Sequence, residues 1–244
     1  QLIEVDSETK ANQQAIDALE NGADGVVFKI SQKPNFNKLL SGIQSNICSI
    51  SFELTEAIDG FLKDYIDYTK STDQDIDQLS GLIPIESDET ILPVNLRTRC
   101  ISTGSEIKST NAVEELALLL HHFVSDLEKV KTPKARLDAS YFQLELGKNY
   151  FVEIAKMRAL RLLVTAVMKG YELNIKPADV FILSQSSLWL HEADDSYNYL
   201  LEATTGAMSA IIGGCNALLI RPFSETFKDN NTLASRNARN ISSV

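Results

Sequence analysis

The fold is decided by residues 149–183, which read NYFVEIAKMRALRLLVTAVMKGYELNIKPADVFIL. Most of this stretch, Asn149–Tyr171, has apolar residues at the three- and four-residue spacing of an amphipathic helix, with a stop at Gly170. Its last residues, Val180–Leu183, form a short apolar run, typical of a strand that is buried on both faces. A helix followed by a buried strand predicts one unit of a parallel α/β sheet.

The same alternation extends outward along the chain. Further apolar runs of strand length occur at Leu2–Val5, Gly25–Ile30, Ile47–Leu54, Leu82–Ile85, Leu92–Leu96 and Ala217–Ile220, with a candidate eighth strand around Leu137–Leu144. Helical periodicity occurs at Glu8–Asn21, Glu56–Lys70, Asn111–Val130 and Ser196–Gly213. This pattern predicts an α/β fold, a (β/α)₈ TIM-type barrel that spans residues 1–244 as a single domain. A doubly wound open sheet is the alternative.

One connection in this pattern is too short for a barrel. Between Ile85 and Leu92 lies only the segment Glu86–Ile91, whereas a parallel crossover needs about a dozen residues or more. Either a helix is missing from the chain here, or the two strands are not parallel neighbours, and we expect the missing helix. The start directly in a strand and the uncapped end at Val244 further predict an incomplete barrel, a fragment of a longer chain.

Composition excludes several classes of protein. Among 244 residues there are 33 acidic and 23 basic ones, a formal net charge of −10, which argues against nucleic acid or an anionic membrane surface as partner. No apolar run approaches the roughly 18 residues of a transmembrane helix, and the first residues, QLIEVDSETK, do not resemble a signal peptide. Three widely spaced cysteines predict reduced thiols in a cytoplasmic protein.

Residues that could carry chemistry are few. The active face of an α/β barrel lies at the carboxyl ends of its strands, and the polar residues predicted there are Lys29, Ser31, Glu53, Thr55, Arg97, Arg99, Cys100, Ser184–Ser187 and Arg221. The arginines could hold an anionic ligand, or the set could be the polar rim of solvated loops. His121 and His122 are adjacent on a predicted helix and point about 100° apart, so they cannot share a metal. His191 is predicted to be a loop histidine.

The second half of the chain contains five motifs in a fixed order. They are residues 147–161 (GKNYFVEIAKMRALR), 184–189 (SQSSLW), 195–198 (DSYN), 212–223 (IGGCNALLIRPF) and 235–240 (SRNARN). In this order they resemble the motifs G-x-x-F-F-x-E-I-A-K-L-R-A-x-R, S-Q-T-S-G-W, D-x-Y-N, G-G-x-x-x-L-x-x-x-P-F and A-R-I-A-R-N of the methylmalonyl-CoA mutase family. The first half of the chain agrees with that family only in general layout.

The resemblance implies a fold and a reaction. The acyl-CoA-binding domain of the family is a (β/α)₈ barrel, and the reaction is the adenosylcobalamin-dependent interconversion of methylmalonyl-CoA and succinyl-CoA through radicals, a chemistry that the cofactor supplies. The family's cobalamin-binding domain carries a D-x-H-x-x-G motif, which does not occur here. We therefore expect the cobalamin domain to be absent and this chain alone to bind no cofactor or metal.

Departures from the family pattern imply a subunit without catalysis. An alignment on Gly104 places Arg99 where catalytic chains have a histidine after strand five, and Leu183 replaces the histidine of their R-T-H-S-Q strand. The segment ending at Pro222-Phe223 is more similar to the small subunit of bacterial mutases. The resemblance thus implies a catalytically silent small (beta) subunit that supports a catalytic large subunit in a heterodimer. The alternatives are an active mutase barrel whose cobalamin domain is not in this chain, and a stand-alone acyl-CoA-binding barrel.

The same motifs provide the candidate binding residues. Gln185, Ser186 and Ser187 match family positions at the end of strand seven, so we expect them to contact the substrate or line its pocket. Lys156 and Arg161 match positions on a helix, where salt bridges over the barrel are the expected role.

Overall fold

The computed structural model describes residues 1–85, 95–103, 111–186, 196–223 and 231–242. The predictions made for Glu86–Ile91, Gly104, Ser187, His191 and Val244 lie outside these described residues. The chain divides into two compact units, Gln1–Arg99 and Cys100–Ser242. Within the described part, no helix has the length and the apolar character needed to cross a membrane.

The first unit is built from parallel strands joined by helices. Its strands are β1 (Leu2–Glu4), β2 (Gly25–Ile30), β3 (Ser49–Leu54), β4 (Ser80–Leu82) and β5 (Asn95–Arg97), and its helices are α1 (Glu8–Glu20), α2 (Phe36–Leu39) and α3 (Phe61–Ser71). β1, β2 and β3 pair in parallel in chain order, and β4 pairs in parallel with β5. The α/β class predicted for this half is confirmed.

Small and aromatic residues form the core of this unit. α1 buries the stripe Ala11, Ala15 and Ala18, whose short side chains let the helix pack closely on the sheet. Phe28 and Phe52 lie opposite each other on β2 and β3, with ring centroids 5.9 Å apart. Gly22 follows α1 with a positive φ of 98°, a left-handed conformation that glycine adopts easily at the end of a helix.

The strands that flank the short connection are parallel neighbours. Ser80 pairs with Asn95 and Leu82 with Arg97, so the alternative in which these strands are not parallel neighbours is wrong. β4 also lies close to β3, and the backbone N–H of Leu82 donates to the hydroxyl of Ser51 at 2.9 Å. A Cβ atom on Gly81 would lie 1.9 Å from the carbonyl oxygen of Ile50. Only glycine fits at this approach of the two strands.

The second unit continues the alternation of strands and helices. Its strands are β6 (Arg99–Ile101), β7 (Ser140–Leu146), β8 (Ile182–Ser186) and β9 (Ala217–Leu219), where only Arg99 of β6 belongs to the first unit. Its helices are α4 (Ala112–Leu127), α5 (Pro133–Ala139), α6 (Tyr150–Gly170), α7 (Ser196–Gly213) and α8 (Asn231–Ser242). The strand order is β6-β7-β8-β9, with β7–β8 and β8–β9 parallel. The candidate eighth strand exists as β7, and parallel α/β architecture is confirmed here too.

Arg161 on α6 holds the amino-terminal ends of two strands. Its guanidinium donates to the carbonyl oxygens of Pro177, Val180 and Gly214 at 2.5–2.8 Å, and to Oδ1 of Asn216 at 2.7 Å. The same Asn216 oxygen accepts from the backbone N–H of Ile182, the first residue of β8, at 2.9 Å. Arg161 therefore works through backbone and amide oxygens, and not through the salt bridge that the sequence predicts.

Candidate functional site

The sheet of the second unit has a polar face on the side away from its helices. Phe142 and Leu144 of β7 are buried in the core that α4 and α6 cover, so the alternating residues Gln143 and Glu145 point to the other side. In the parallel register, Gln143 lies opposite Leu183 and Glu145 opposite Gln185. Side chains from β7 and β8 therefore meet on this face.

Gln185 and Arg221 are the two most buried polar residues of this face, at 5% and 6% exposure. Gln185 pairs with Leu219 of β9, and Arg221 lies two residues after Leu219 and so on the same side. Nη2 of Arg221 is 3.5 Å from Oε1 of Gln185. A guanidinium beside an amide suits hydrogen bonding to an anionic or carbonyl-bearing ligand. Sequence reasoning named both residues, and the structure brings them together.

A second polar pair lies on β6 and β7. The thiol of Cys100 lies 3.5 Å from Oε1 of Gln143, and both residues are half-buried. Cys100 was predicted at a strand end, whereas Gln143 was missed. The alternation Phe142–Gln143–Leu144–Glu145 in the sequence is the signal that could have found it.

Ser186 faces the helices instead of the polar face. Its hydroxyl accepts from the backbone N–H of Arg221 at 2.8 Å and lies 3.2 Å from the hydroxyl of Tyr199 on α7. The Tyr199 hydroxyl in turn donates to the Arg221 carbonyl at 2.7 Å. Gln185 and Ser186, predicted together as pocket residues with Ser187, thus lie on opposite faces of β8, and Ser187 lies outside the described residues. A pocket role for the three stays a prediction.

The two positions at which the resemblance implies replaced histidines lie on strands. Leu183 is 9% exposed and shares the polar face, between Gln143 of β7 and Ala217 of β9. Arg99 is half-buried and is the first residue of β6. Arg99 and Arg97 belong to the first unit, and Arg221 belongs to the second.

Strand-end polar residues of the first unit make local contacts. Nζ of Lys29 is 3.1 Å from Oε1 of Glu4 on the neighbouring strand. The hydroxyl of Thr55 donates to the carbonyl of Ile30 at 3.2 Å. These contacts join neighbouring strands at the surface, in agreement with the interpretation of this set as the polar rim of solvated loops.

A buried ion network supports the end of β7. Nζ of Lys156 lies 2.8 Å from Glu115 Oε2 and 2.8 Å from Glu153 Oε2, and it donates to the Glu145 carbonyl at 3.0 Å. Burial raises the pKa of Glu115, and the Lys156 charge opposes that rise. Gly147 follows β7, where a Cβ would lie 2.8 Å from Glu153 Oε1. The network fixes the strand end from the helix side, in agreement with the salt-bridge role predicted for Lys156.

Two histidines fall within the described residues, and both belong to α4. His121 is exposed, and Nδ1–H of the half-buried His122 donates to the Ser102 carbonyl at 2.9 Å. Both are in the helix layer, whereas Gln185 lies on the opposite side of the sheet. Among the described residues, no cluster of three potential ligands could hold a metal ion. The described part of the polar face therefore has no imidazole that fits cobalt ligation.

Sequence comparison identifies the class of protein. The sequence model of the methylmalonyl-CoA mutase family matches residues 104–244, more than half of the chain. The chain therefore belongs to the methylmalonyl-CoA mutase family, as its motifs predict.

Individual relatives include both kinds of mutase subunit. The methylmalonyl-CoA mutase small subunit of Porphyromonas gingivalis is 26% identical over 96% of this chain and 44% of its own length. The large subunit of the same organism is 25% identical over 83% of this chain and 33% of its own length. Methylmalonyl-CoA mutase of Rhizobium meliloti is 33% identical over 41% of this chain and 14% of its own length. The chain thus spans less than half the length of these relatives.

Proposed function

We propose that this chain is the barrel part of a mutase small subunit. Its partner in this proposal is a catalytic large subunit that interconverts methylmalonyl-CoA and succinyl-CoA with adenosylcobalamin, and the chain itself is catalytically silent. The proposal is supported by the match to a small subunit over nearly the whole chain. The observation that carries catalytic silence is the position of Leu183.

Leu183 places an aliphatic side chain at the centre of the polar face. Its neighbours across the sheet are Gln143 and Ala217, and Gln185 lies two residues further along the same strand. An imidazole at this position could donate or accept a proton at about neutral pH, whereas a leucine can do neither. The amides of Gln143 and Gln185 do not titrate, so they can orient a ligand but cannot replace the lost group.

In this proposal, the large subunit binds the adenosylcobalamin of the assembled enzyme. When bound, the cofactor supplies the radical chemistry of the rearrangement. On the polar face of this chain, Arg221 and Gln185 contact each other and offer hydrogen bonds only to a weakly held ligand. No step of the reaction is assigned to this chain.

The closed barrel belongs to the same proposal. Only Thr98 separates β5 from β6, and counting those two as one strand gives eight strands among the described residues. The strand orders β1-β2-β3, β4-β5 and β6-β7-β8-β9 follow the chain, as the staves of a barrel do. Closure of these strands into one (β/α)₈ domain over residues 1–244 is the architecture that we propose.

We also propose that a crossover helix is missing from the chain between Ile85 and Leu92. β4 and β5 are parallel, which requires a crossover connection. The match to the small subunit extends over 276 aligned positions, more than the 244 residues of this chain, so that relative carries internal segments that this chain lacks. The parallel pairing supports a missing crossover at this place, and the length of the match agrees with segments missing from this chain.

Turnover assays separate this proposal from an active mutase. The purified protein is mixed with adenosylcobalamin and methylmalonyl-CoA, first alone and then with a purified large-subunit chain that carries the D-x-H-x-x-G motif. We expect succinyl-CoA only in the second mixture. Turnover by the protein alone would contradict catalytic silence, and would favour the active barrel.

A stand-alone acyl-CoA-binding barrel is favoured by one observation, the buried pair of Arg221 and Gln185 on the polar face. Calorimetric titration of the protein with methylmalonyl-CoA and succinyl-CoA tests it. A silent subunit should bind these esters weakly or not at all. Tight binding that Arg221→Gln weakens, without any large subunit present, would favour the stand-alone barrel.

The cytoplasmic location is proposed from the same family role and from the three cysteines, all in the described residues, which form no disulfide.

A further inference from the structure

α6 and α7 lie side by side and in parallel on the outside of the second unit. Nζ of Lys148, just before α6, is 3.4 Å from Glu202 Oε1 on α7, and Arg158 Nη2 donates to the Ile212 carbonyl at 3.1 Å. Both contacts join residues that are 54 positions apart. This constant offset means that the outward faces of the two helices form one surface.

That surface is apolar. Six large side chains on it are between 45% and 78% exposed: Phe151, Leu162, Leu201, Met208, Ile211 and Ile212. We call these six residues the α6–α7 face. Together they present on the order of 700 Å², which is above the usual largest patch of a monomer and close to the roughly 800 Å² per partner of a stable interface.

Helix α1 has the opposite pattern. The exposed residues of α1 are all polar or charged: Thr9, Lys10, Gln13, Gln14, Asp17 and Glu20. α7, in contrast, carries a single charged residue, Glu202, in its eighteen positions. Exposed apolar residues scattered singly need no explanation, but a continuous face of this size marks an interaction site.

The charges around the α6–α7 face indicate which partner fits it. Its rim carries the exposed basic residues Lys148, Arg158 and Lys169 and the acid Glu202, which pairs with Lys148, so the rim is basic although the whole chain has a net charge of −10. A second copy docked through the same face would bring two basic rims together, which opposes association. A different chain with an apolar centre and acidic rim would complement both features.

We propose that the α6–α7 face is the surface on which the large mutase subunit docks. This inference rests on the proposed function, in which the partner is a large mutase subunit. Both a small and a large subunit are among the relatives of the chain. The large subunit would cover the six apolar side chains, and its acidic residues would meet Lys148, Arg158 and Lys169. Burial of the apolar centre would provide the affinity, and the charged rim would select the partner.

The test measures binding of the purified large subunit to the wild-type protein and to two variants. The double variant Leu201→Glu/Met208→Glu places two charges in the centre of the face. Val113→Glu is the matched control, because Val113 is 72% exposed on the surface of α4. Thermal unfolding followed by circular dichroism establishes that each variant folds. We expect the Kd to rise at least about 100-fold for the double variant and less than about threefold for the control.

Each other outcome has a distinct meaning. If the wild type and the folded double variant bind the large subunit equally well, the α6–α7 face is not the docking surface, while the proposed function stands. If the wild type does not bind the large subunit at all, the proposed function itself fails. If the wild type instead forms a dimer with itself that the double variant abolishes, the face binds a second copy and the choice of partner is wrong.

Discussion

Nζ of Lys156 lies 2.8 Å from Oε2 of Glu115, and this contact joins α6 to α4 across 41 residues of sequence. The Lys156 side chain is 2% exposed, and Glu153 supplies a second carboxylate at 2.8 Å. Removal of one member of a buried group of charges leaves the other charges buried without compensation, which is strongly destabilising. The ion network is therefore a sensitive point for the stability of the second unit.

Replacement of the central cation tests this network. In Lys156→Met, two buried carboxylates lose their common partner, and we expect the free energy of unfolding to fall by about 3 kcal/mol. Urea denaturation measures it. Lys134→Met is the control, since Lys134 forms an exposed ion pair with Asp138 and its removal should cost less than about 1 kcal/mol. Equal losses in the two variants would contradict a special role for Lys156.

The same network should make stability depend on pH. Burial raises the folded-state pKa of Glu115, with Lys156 opposing the rise and Glu153 and Glu145 adding to it. A raised folded pKa means that the native state holds the proton more tightly than the unfolded chain does. The stabilisation from this group is thus fully present below the unfolded pKa, and is lost as pH rises through the folded pKa.

Glu115→Gln removes that titration. We expect the free energy of unfolding of the wild type, minus that of Glu115→Gln, to be largest in acid and to decline as pH rises from about 4 towards neutrality. Urea titrations at a series of pH values measure the difference. Glu114→Gln, at the exposed neighbouring position, is the control for the substitution itself and should change the free energy of unfolding by less than about 0.5 kcal/mol. A difference that increases with pH would show that the assigned sign is wrong.

Gly81 should not tolerate a side chain. Its Cβ would fall 1.9 Å from the Ile50 carbonyl oxygen, so β3 and β4 would have to separate in Gly81→Ala. We expect a loss of about 3 kcal/mol or failure to fold. Gly170→Ala is the matched control, because a Cβ there meets nothing within 4 Å, at the end of a helix. Thermal unfolding of the two variants decides, and a Gly81→Ala protein as stable as the wild type would show that this approach of the strands is not tight.

The hydroxyl of Tyr199 should contribute to the stability of the folded protein. Removing that group in Tyr199→Phe takes away one hydrogen-bond partner of the buried Arg221 carbonyl and one of the Ser186 hydroxyl, which should cost about 1–3 kcal/mol in the free energy of unfolding. Tyr171→Phe, at a partly exposed position at the end of α6, is the control and should change stability little. If Tyr199→Phe is as stable as Tyr171→Phe, this hydrogen-bond network does not stabilise the strand ends.

Periodicity predicted most elements of the fold. The helix boundary at Gly170 and the helix Ser196–Gly213 agree with the structure, because an apolar stripe together with a glycine stop defines a helix locally. α2 and α5 were not predicted, since helices of four and seven residues are too short to show a periodic stripe. β6 was also missed, because three residues next to another short strand carry no separate pattern.

The candidate site was harder to predict than the fold. Motif matching found Gln185 and Ser186 but could not show that alternation along β8 places them on opposite faces. Tyr199 was absent from the prediction, since a buried tyrosine on a helix is usually part of the core. Its partners, Ser186 and Arg221, come from two other elements, and only the assembled sheet brings them within hydrogen-bond distance.

The position of Arg161 has a consequence for how this chain could have evolved. Its hydrogen bonds hold the entry ends of β8 and β9, whereas Gln185 and Arg221 lie towards the exit ends of the same strands. Substitutions of Gln185 or Arg221 at the exit ends leave that clamp intact, whereas Leu183, the second residue of β8, lies beside it. The polar side chains at the exit ends can therefore change in evolution without altering the alignment of β8 and β9.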